Sequence, residues 1–502
     1  MQRFGPWLPD QPDYENPGAK EALNVLPRTE QSYGPIGGLT SVSDALADTP
    51  KGAATFRDSA GNTETFAATA SDLYQLSVTS WTEVSKSTGA YTVAADDITE
   101  FAQFGQVVIS VNGHTDAPQA FTLNSSSAFA DLGGSPPRAR HIAIIEPGFV
   151  MLGNTWDSSD RSVPNRVWWS ALNDATDWPT IGSADAAAKQ SDYQDLPVGG
   201  WVQRITGAIG GLDGAIFMEK AIYRIQYQGP PTVFGFYEVE RDRGTPAPNS
   251  VVNVGPFGFY LGEEGFYSFS GSGSTPIGDQ KVDKTFFNDL DANYYNRIYG
   301  AADPINKMVW WAYPGSGNSN GRPNKVVIYN WAIDRWSNAE VEQEFLFKDL
   351  SDGYTLDQLD QFGNLDTLPF SLDSRVWTGG RLLLSGFDSS NKLARFAGDN
   401  LAATIETTEG ALLDGNARAF VNGVQPFTDA VDSDVTVALK FREGNSSGST
   451  LTLTSANAID ADGFAHFTTS TKFASAQVNI AAGASWTHAQ GVTYDAVEDG
   501  GQ

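Results

Sequence analysis

The chain has 502 residues and a formal net charge of −28, from 60 Asp and Glu against 32 Lys and Arg. This charge excludes a conventional nucleic-acid-binding surface, which needs clustered Lys and Arg to neutralise phosphates. The absence of cysteine excludes disulfides, thiolate metal sites and a cysteine nucleophile, and 51 Gly with 25 Pro indicate many turns rather than long helices.

Residues 1–40 are predicted to form an extended, proline-rich arm. Six prolines between Pro6 and Pro35 interrupt any helix and remove backbone hydrogen-bond donors. A flexible linker would not carry so many large apolar side chains. We therefore expect the arm to lie along a surface, its own or a neighbour's, and to become ordered only by that contact. The predicted interaction residues are Phe4, Trp7, Tyr14 and Leu26.

Residues 41–400 carry paired bursts of β-branched and aromatic residues that are separated by short turns. PGFVMLGN, from Pro147, and NKMVWWAYPG, from Asn306, are two of these bursts. Paired strands at this spacing are typical of propeller blades. The pattern predicts an all-β fold, a β-propeller with about seven blades (six to eight are possible), and no helix longer than about three turns.

Two surface excursions and a C-terminal element complete the predicted organisation. The excursions are long stretches between strands, near 154–200 and 349–376, and the second is rich in Asp and Leu. Residues 401–502 contain few Lys or Arg, and segments such as DVTVALKF and AQVNIAAG have the alternation of short strands. This C-terminal β element is predicted either to close the ring or to form a small separate sandwich.

The residue types that carry catalysis and metal binding are sparse. None of the four histidines has a His or Cys partner at zinc spacing; they are His114, His141, His466 and His488. Residues 460–464 (DADGF) match only half of a calcium loop, and GSGSTPIG, from Gly271, is better explained as a hairpin loop than as a phosphate loop. We predict no catalytic, cofactor or metal site, and therefore no enzyme.

One cluster keeps a second function class open. Asp157, Asp160 and Arg161 precede Trp168 and Trp169, and these side-chain types line sugar-binding clefts because Trp faces stack on pyranose rings. In a β protein this aromatic, Trp more often lies in a core or an interface. The alternative function is a propeller lectin or glycan-processing enzyme that acts on cell-surface polysaccharide.

Four segments, spread through the chain in order, carry a family resemblance. They are FGPWLPDQPDYENPGAKEALNVLPRTEQSYGPIGGL (4–39), DKTFFNDLDANYYNRIYGAADPINKMVWWAYPG (283–315), GNARAFVNGVQPFTDA (415–430) and AGASWTHAQGVTYD (482–495). These segments resemble structural proteins of short-tailed (podovirus-type) bacteriophages, and the resemblance covers nearly the whole chain. It implies a tail hub or nozzle protein with a propeller in each subunit.

The resemblance also implies partners and a location. Such a protein forms a ring, expected here to be a hexamer, that continues the DNA channel below portal and adaptor and takes part in DNA retention and ejection. The implied partners are further copies of the chain, adaptor and portal-side tail proteins, tail fibres or spikes, and double-stranded DNA that passes through the lumen without specific binding. The implied location is the virion tail, after assembly in the host bacterial cytoplasm, with no membrane span.

The acidic charge has two interpretations. If the chain is a nozzle, carboxylates that line the lumen repel passing DNA over about 8–10 Å at ordinary salt, and the excursions 154–200 and 349–376 are candidate lumen segments. Alternatively, the excess acid coats the outside and serves solubility or a salty habitat.

Overall fold

Seven four-stranded antiparallel blades form a β-propeller in the described part of the chain. The computed structural model describes residues 1–14, 16–351, 380, 382–413, 417–444 and 449–499. The predicted all-β propeller is confirmed, with seven blades. Within the described residues, the helices α1 (Ala184–Lys189) and α2 (Asp283–Asp289) are one to two turns long, and neither is long and apolar enough to cross a membrane.

The strands follow each other in a regular order. Five precede the first complete blade: β1 (Gln2–Arg3), β2 (Ala19–Leu23), β3 (Val25–Thr29), β4 (Ser32–Pro35) and β5 (Gly37–Ala45). Blades 1 to 3 contain β6 (Gly52–Arg57), β7 (Thr63–Ala68), β8 (Leu73–Ser77), β9 (Ser80–Glu83), β10 (Glu100–Phe104), β11 (Val107–Val111), β12 (Gln119–Thr122), β13 (Ala130–Asp131), β14 (Arg138–Ile145), β15 (Phe149–Asp157), β16 (Arg161–Trp169) and β17 (Asp192–Asp195). Blades 4 to 6 contain β18 (Val202–Ile209), β19 (Leu212–Met218), β20 (Ala221–Gly229), β21 (Val233–Arg241), β22 (Val252–Asn253), β23 (Gly258–Leu261), β24 (Phe266–Phe269), β25 (Ser274–Pro276), β26 (Tyr299–Asp303), β27 (Met308–Tyr313), β28 (Lys325–Asn330) and β29 (Arg335–Glu340).

Blade 7 closes the ring with strands from two distant parts of the chain. It contains β30 (Gln343–Leu350), β31 (Leu382–Asp388) and β32 (Lys392–Asn400), and β5 is its fourth strand. β5 runs antiparallel to β32, with Ser41 opposite Ala394 and Leu39 opposite Phe396. The first strand of blade 7 contacts the first strands of blades 1 and 6. The ring is therefore closed by β5 and not by the C-terminal element.

Alternation along β27 explains how one blade packs between two others. Val309, Trp311 and Tyr313 belong to a core cluster shared with blade 5. Their neighbours Trp310 and Ala312 belong to a second cluster, shared with blade 7. Because successive side chains of a strand point to opposite faces, a strand that is apolar throughout is buried on both sides.

The C-terminal strands and the first four strands together form a β-sandwich. The C-terminal strands are β33 (Ala403–Thr407), β34 (Gly410–Ala411), β35 (Ala419–Thr428), β36 (Val435–Arg442), β37 (Thr452–Leu453), β38 (Asn457–Ala458), β39 (Ala465–Thr471), β40 (Phe473–Ile480) and β41 (Ala489–Glu498). One sheet has the order β3-β4-β41-β35-β39, with β1 also paired to β41. In the other sheet, β2 lies between β33 and the blade 6 strand β29.

Residues 1–40 are therefore not an extended arm, contrary to the sequence prediction. β1 to β5 pair with other strands of the same chain, and the sandwich is continuous with blade 6 rather than separate. The prolines permit this because Pro27 lies on the edge strand β3, where a missing backbone donor costs least. Proline excludes helices from this segment, but it does not exclude short edge strands.

Candidate functional site

One face of the propeller, which we call the mouth, carries two concave polar surfaces within the described part of the chain. It is the face on which the first strand of each blade begins. Segments that lead into β10, β18, β22 and β26 line a cavity of about 510 Å³ there. A neighbouring cavity of about 370 Å³ is lined mainly by the segments that lead into β6, β26 and β28, together with Glu344 of β30. The mouth thus collects side chains from several blades, as propeller architecture favours.

A buried ionic network crosses three adjacent blades at the mouth. The Glu100 carboxylate on β10 contacts His141 Nδ1 on β14 at 2.8 Å and accepts a hydrogen bond from Arg204 Nη1 on β18 at 2.7 Å. The backbone N–H of Ile142 donates to its other oxygen at 3.2 Å. Burial raises the pKa of Glu100, but Arg204 and His141 outweigh burial, so the pKa lies below its ordinary value. The network ties three blades together.

Further polar pairs surround this network. Arg140 Nη1 lies 3.1 Å from an Asp97 oxygen, and Asn296 Nδ2 donates to Asp96 Oδ1 at 3.1 Å. Lys51 Nζ donates to the Ala95 carbonyl at 2.6 Å. Burial, reinforced by the nearby Arg297 charge, lowers the pKa of Lys51. Acidic groups prevail in the larger cavity and basic groups in the smaller one, so no single sign of charge dominates the mouth as a whole.

An exposed indole stands at the rim of the larger cavity. Trp201 is 49% exposed, although most large aromatic side chains of the chain are buried. Its backbone N–H donates to Glu219 Oε2 at 3.1 Å. Gly200, at φ +83°, lies against that carboxylate, and a Cβ there would come within 2.2 Å of Glu219 Oε2. The positive φ favours glycine at this position, and the hydrogen bond to Glu219 holds the backbone from which the indole projects.

The structure does not place the four predicted interaction residues on an exposed surface. Phe4 and Trp7 are 1% and 4% exposed and share one core cluster with blades 5 and 6. The Tyr14 ring meets the Phe473 ring edge-on at 5.4 Å, and Leu26 packs against the cluster of blades 6 and 7. Phe4 and Trp7 are brought together, whereas Tyr14 and Leu26 lie elsewhere. All four contact their own chain.

The first strands are also anchored through Asp10. Its two carboxylate oxygens accept hydrogen bonds from the backbone N–H groups of Lys284 and Thr285, each at 2.8 Å. N–H groups in the first turn of a helix have no partner within the helix. The residue before α2, Val282, provides no side-chain cap for them. Asp10 therefore caps α2 from 273 residues away in sequence, measured from Asp10 to Asp283.

The acidic and tryptophan cluster of the first excursion is not an open cleft. Arg166, which the sequence analysis did not single out, lies 2.6 Å from both Asp160 and Asp195, and these pairs raise its pKa. Trp169 is buried in the core of blades 3 and 4, and Trp168 packs against Tyr193. Asp157 lies 3.8 Å from Arg166, and Arg161, the first residue of β16, is exposed. The structure favours a structural role.

The remaining motifs are accounted for as turns and paired side chains. His114 contacts the Asn154 carbonyl oxygen, and His466 contacts Asp460 at 2.6 Å. His488 lies 3.4 Å from Asp429. In 460–464, Asp460 accepts two backbone N–H groups of its own turn, and the glycines from Gly271 belong to the hairpin between β24 and β25. Among the described residues there is no group of three or more side chains arranged to hold a metal.

The two excursions differ in what the structure describes. Residues 154–200 form the outer part of blade 3 and include α1 and the outermost strand β17. Of the second excursion, 349–376, residues 352–376 lie outside the described residues. Asp349 is buried and accepts hydrogen bonds from Thr55 and Ser385 at 2.6 and 2.8 Å.

Comparisons with known proteins return other β-propellers but no family or function for this chain. No protein-family model and no curated protein matches the chain. Similar solved structures include the Neurospora crassa Pan2 WD40 domain, at 7% identity and a TM-score of 0.37, over 71% of this chain and 94% of that one. Virginiamycin B lyase from Staphylococcus aureus is similar at 12% identity and a TM-score of 0.35, over 60% and 87%. With TM-scores below 0.5, neither carries an argument, so the class rests on the strand pairing: this is an all-β, seven-bladed propeller.

Proposed function

We propose that the chain is a structural subunit of a short phage tail, a nozzle or hub that assembles into a ring and continues the DNA channel. The observation that supports this most is the union of propeller and sandwich into one body. β2 joins the sandwich directly to blade 6 through β29, and Arg335 of β29 donates to the Phe4 and Thr29 carbonyl oxygens. A rigid, multi-part body of this kind suits an element of an assembly.

The surface of the sandwich supports a contact between copies. Two exposed large apolar side chains, Leu451 and Leu453, lie at the edge strand β37, and each is about half exposed. An exposed apolar sheet edge favours contact with another chain. We infer that this edge meets a neighbouring copy, in a head-to-tail contact that closes a ring.

The acidic charge supports a channel role only in part. Five carboxylates of the first excursion surround two cations, since Asp157, Asp160 and Asp195 lie near Arg166, and Asp177 and Asp185 near Lys189. Five carboxylates against two cations still leave about three negative charges, so pairing lowers the field of this excursion without removing it. The repulsive lumen is therefore proposed to draw its charge mainly from other carboxylates, with a reduced contribution from these.

The test is to image the purified full chain by cryo-electron microscopy over a range of concentrations. We expect closed rings with an axial opening that admits duplex DNA, and a lumen that is acidic along most of its length. Leu453→Asp should prevent ring formation, because it places a charge in the contact. Ile305→Asp, at a similarly exposed position on the propeller, is the matched control and should form rings. Monomers at every concentration, or a ring with a basic lumen, would contradict the proposal.

A further inference from the structure

The larger cavity at the mouth has the features of a ligand site rather than of a packing defect. Its volume of about 510 Å³ is within the range of small-molecule sites. Its lining comes from five consecutive blades, 2 to 6, so the ring of the propeller holds it open. His141 of the Glu100 network forms part of the lining, whereas the proposed ring contact does not use the cavity.

Two buried polar atoms of the lining have no hydrogen-bond partner within the described residues. Asn154 is 2% exposed, and its Nδ2 donates to the Val202 carbonyl, but its Oδ1 accepts nothing. Arg140 Nη1 contacts Asp97, but its Nε is buried without a partner. Unpaired buried polar groups are rare in folded proteins. Both atoms are enclosed by protein, so the hydrogen-bonding groups that a ligand reaches are the other polar side chains of the lining.

A hydroxyl group donates one hydrogen bond and accepts others. The polar side chains of the lining suit hydroxyls: Asn293 and Asn296 carry amides, and Asp96 and Glu219 carry carboxylates. A ligand with several hydroxyl groups would replace the water that fills the cavity in the free protein with hydrogen bonds of similar quality.

The exposed Trp201 indole adds an apolar surface to this polar lining. A flat aromatic face next to amides and carboxylates suits a pyranose, which presents C–H groups on its faces and hydroxyls at its edges. The charge of the cavity lining also limits which ligands it can bind. Carboxylates from Asp96, Asp97 and Glu219 outnumber the single Arg140 guanidinium, which is already paired. An anionic ligand is therefore disfavoured.

We propose that the propeller mouth is a carbohydrate-binding site for a neutral or N-acetylated sugar, with Trp201 as the stacking surface. The inference goes beyond the tail role and does not depend on it, because the cavity lies within one subunit. It also differs from the cluster at 157–169, whose Trp169 is buried.

The experiment measures sugar binding to the full chain by saturation-transfer NMR and calorimetry. The probes are maltose, lactose and N,N′-diacetylchitobiose, with 3′-sialyllactose as the anionic comparison. At least one neutral probe should bind saturably at concentrations up to about 10 mM. Trp201→Ala should weaken that binding about tenfold or more, through loss of the stacking area. Trp201→Phe keeps a smaller ring, so its affinity for the sugar should lie between that of the unaltered chain and that of Trp201→Ala.

Phe257→Ala is the matched control, because Phe257 is 40% exposed and lies in the turn between β22 and β23, on the opposite face. It should bind as the unaltered chain does. The inference is overturned if no neutral probe binds, if Trp201→Ala binds unchanged, or if 3′-sialyllactose binds as tightly as the best neutral probe. Ring formation, measured separately, tests the tail role, so failure of one proposal is distinguishable from failure of the other.

Discussion

Asp283 is a buried carboxyl whose ionisation should oppose folding. It is the first residue of α2, and its Oδ1 accepts the backbone N–H of Phe266 at 3.2 Å. A Cβ at Gly265 or Gly278 would come within 2.1 Å of its oxygens. Burial, then the negative charges of Asp10 and Asp279, raise the pKa of Asp283 from 3.8 to about 7.

The size and sign of the effect follow from that pKa. The folded chain holds this proton more tightly than the unfolded chain, so its contribution to stability is full below pH 3.8 and falls as the pH rises to about 7. At 1.36 kcal/mol for each pKa unit, the ionised carboxylate costs about 4 kcal/mol of unfolding free energy above pH 7. At pH 5 the corresponding cost is about 1.5 kcal/mol.

Asp283→Asn keeps the acceptor and removes the ionisation. We expect its unfolding free energy to exceed that of the unaltered chain by about 1.5 kcal/mol at pH 5 and about 4 kcal/mol at pH 8. Urea unfolding followed by Trp fluorescence measures this difference, at pH values above the sequence pI of about 4.4. Glu30→Gln, at an exposed position, is the control and should give a flat difference. A pH-independent difference for Asp283→Asn, or a loss of stability at pH 8, would refute the reasoning.

Three further predictions concern the mouth and the first strands. Glu100→Gln should cost about 3 kcal/mol at any pH above 4.5, because it leaves Arg204 without its buried carboxylate; an unchanged urea midpoint would contradict this. Deletion of residues 1–38 should give an aggregating chain in size-exclusion chromatography, because it removes β2 from between β29 and β33; a soluble, folded product would contradict the pairing. Trp7→Ala should cost about 3–5 kcal/mol in the same urea assay, and a loss below 1 kcal/mol would mean that Trp7 is not a core residue.

Local pattern was enough to predict the propeller but not its closure. The run MVWWAY of β27 can be recognised as a doubly buried strand from its composition alone. The role of β5 cannot, because its partner β32 begins 347 residues after β5 ends, counted from Ala45 to Lys392. For the same reason Phe4 and Trp7 were expected to meet a partner protein, although their partners are later parts of the same chain.

Most of the candidate site at the mouth could not be predicted from the sequence, because its residues lie on different blades. Glu100, His141 and Arg204 stand on three consecutive blades, and only the packing of these blades against each other brings them together. Trp201 does have a local signal, since it follows Gly199 and Gly200, both at positive φ, and directly precedes β18. That signal indicates a tight corner, but it does not indicate whether the indole faces solvent or core.

The late partner of β5 has a consequence for the order of folding during synthesis. β5 ends at Ala45 and β32 begins at Lys392, so the ribosome must add about 350 residues before blade 7 can form. At about 5–20 residues per second, this takes roughly 20–70 s. The interval before β4 can pair with β41 is longer, because β41 begins at Ala489. During this interval the first strands expose their backbone edges and apolar side chains, which makes them the part of the nascent chain most in need of protection from misassociation.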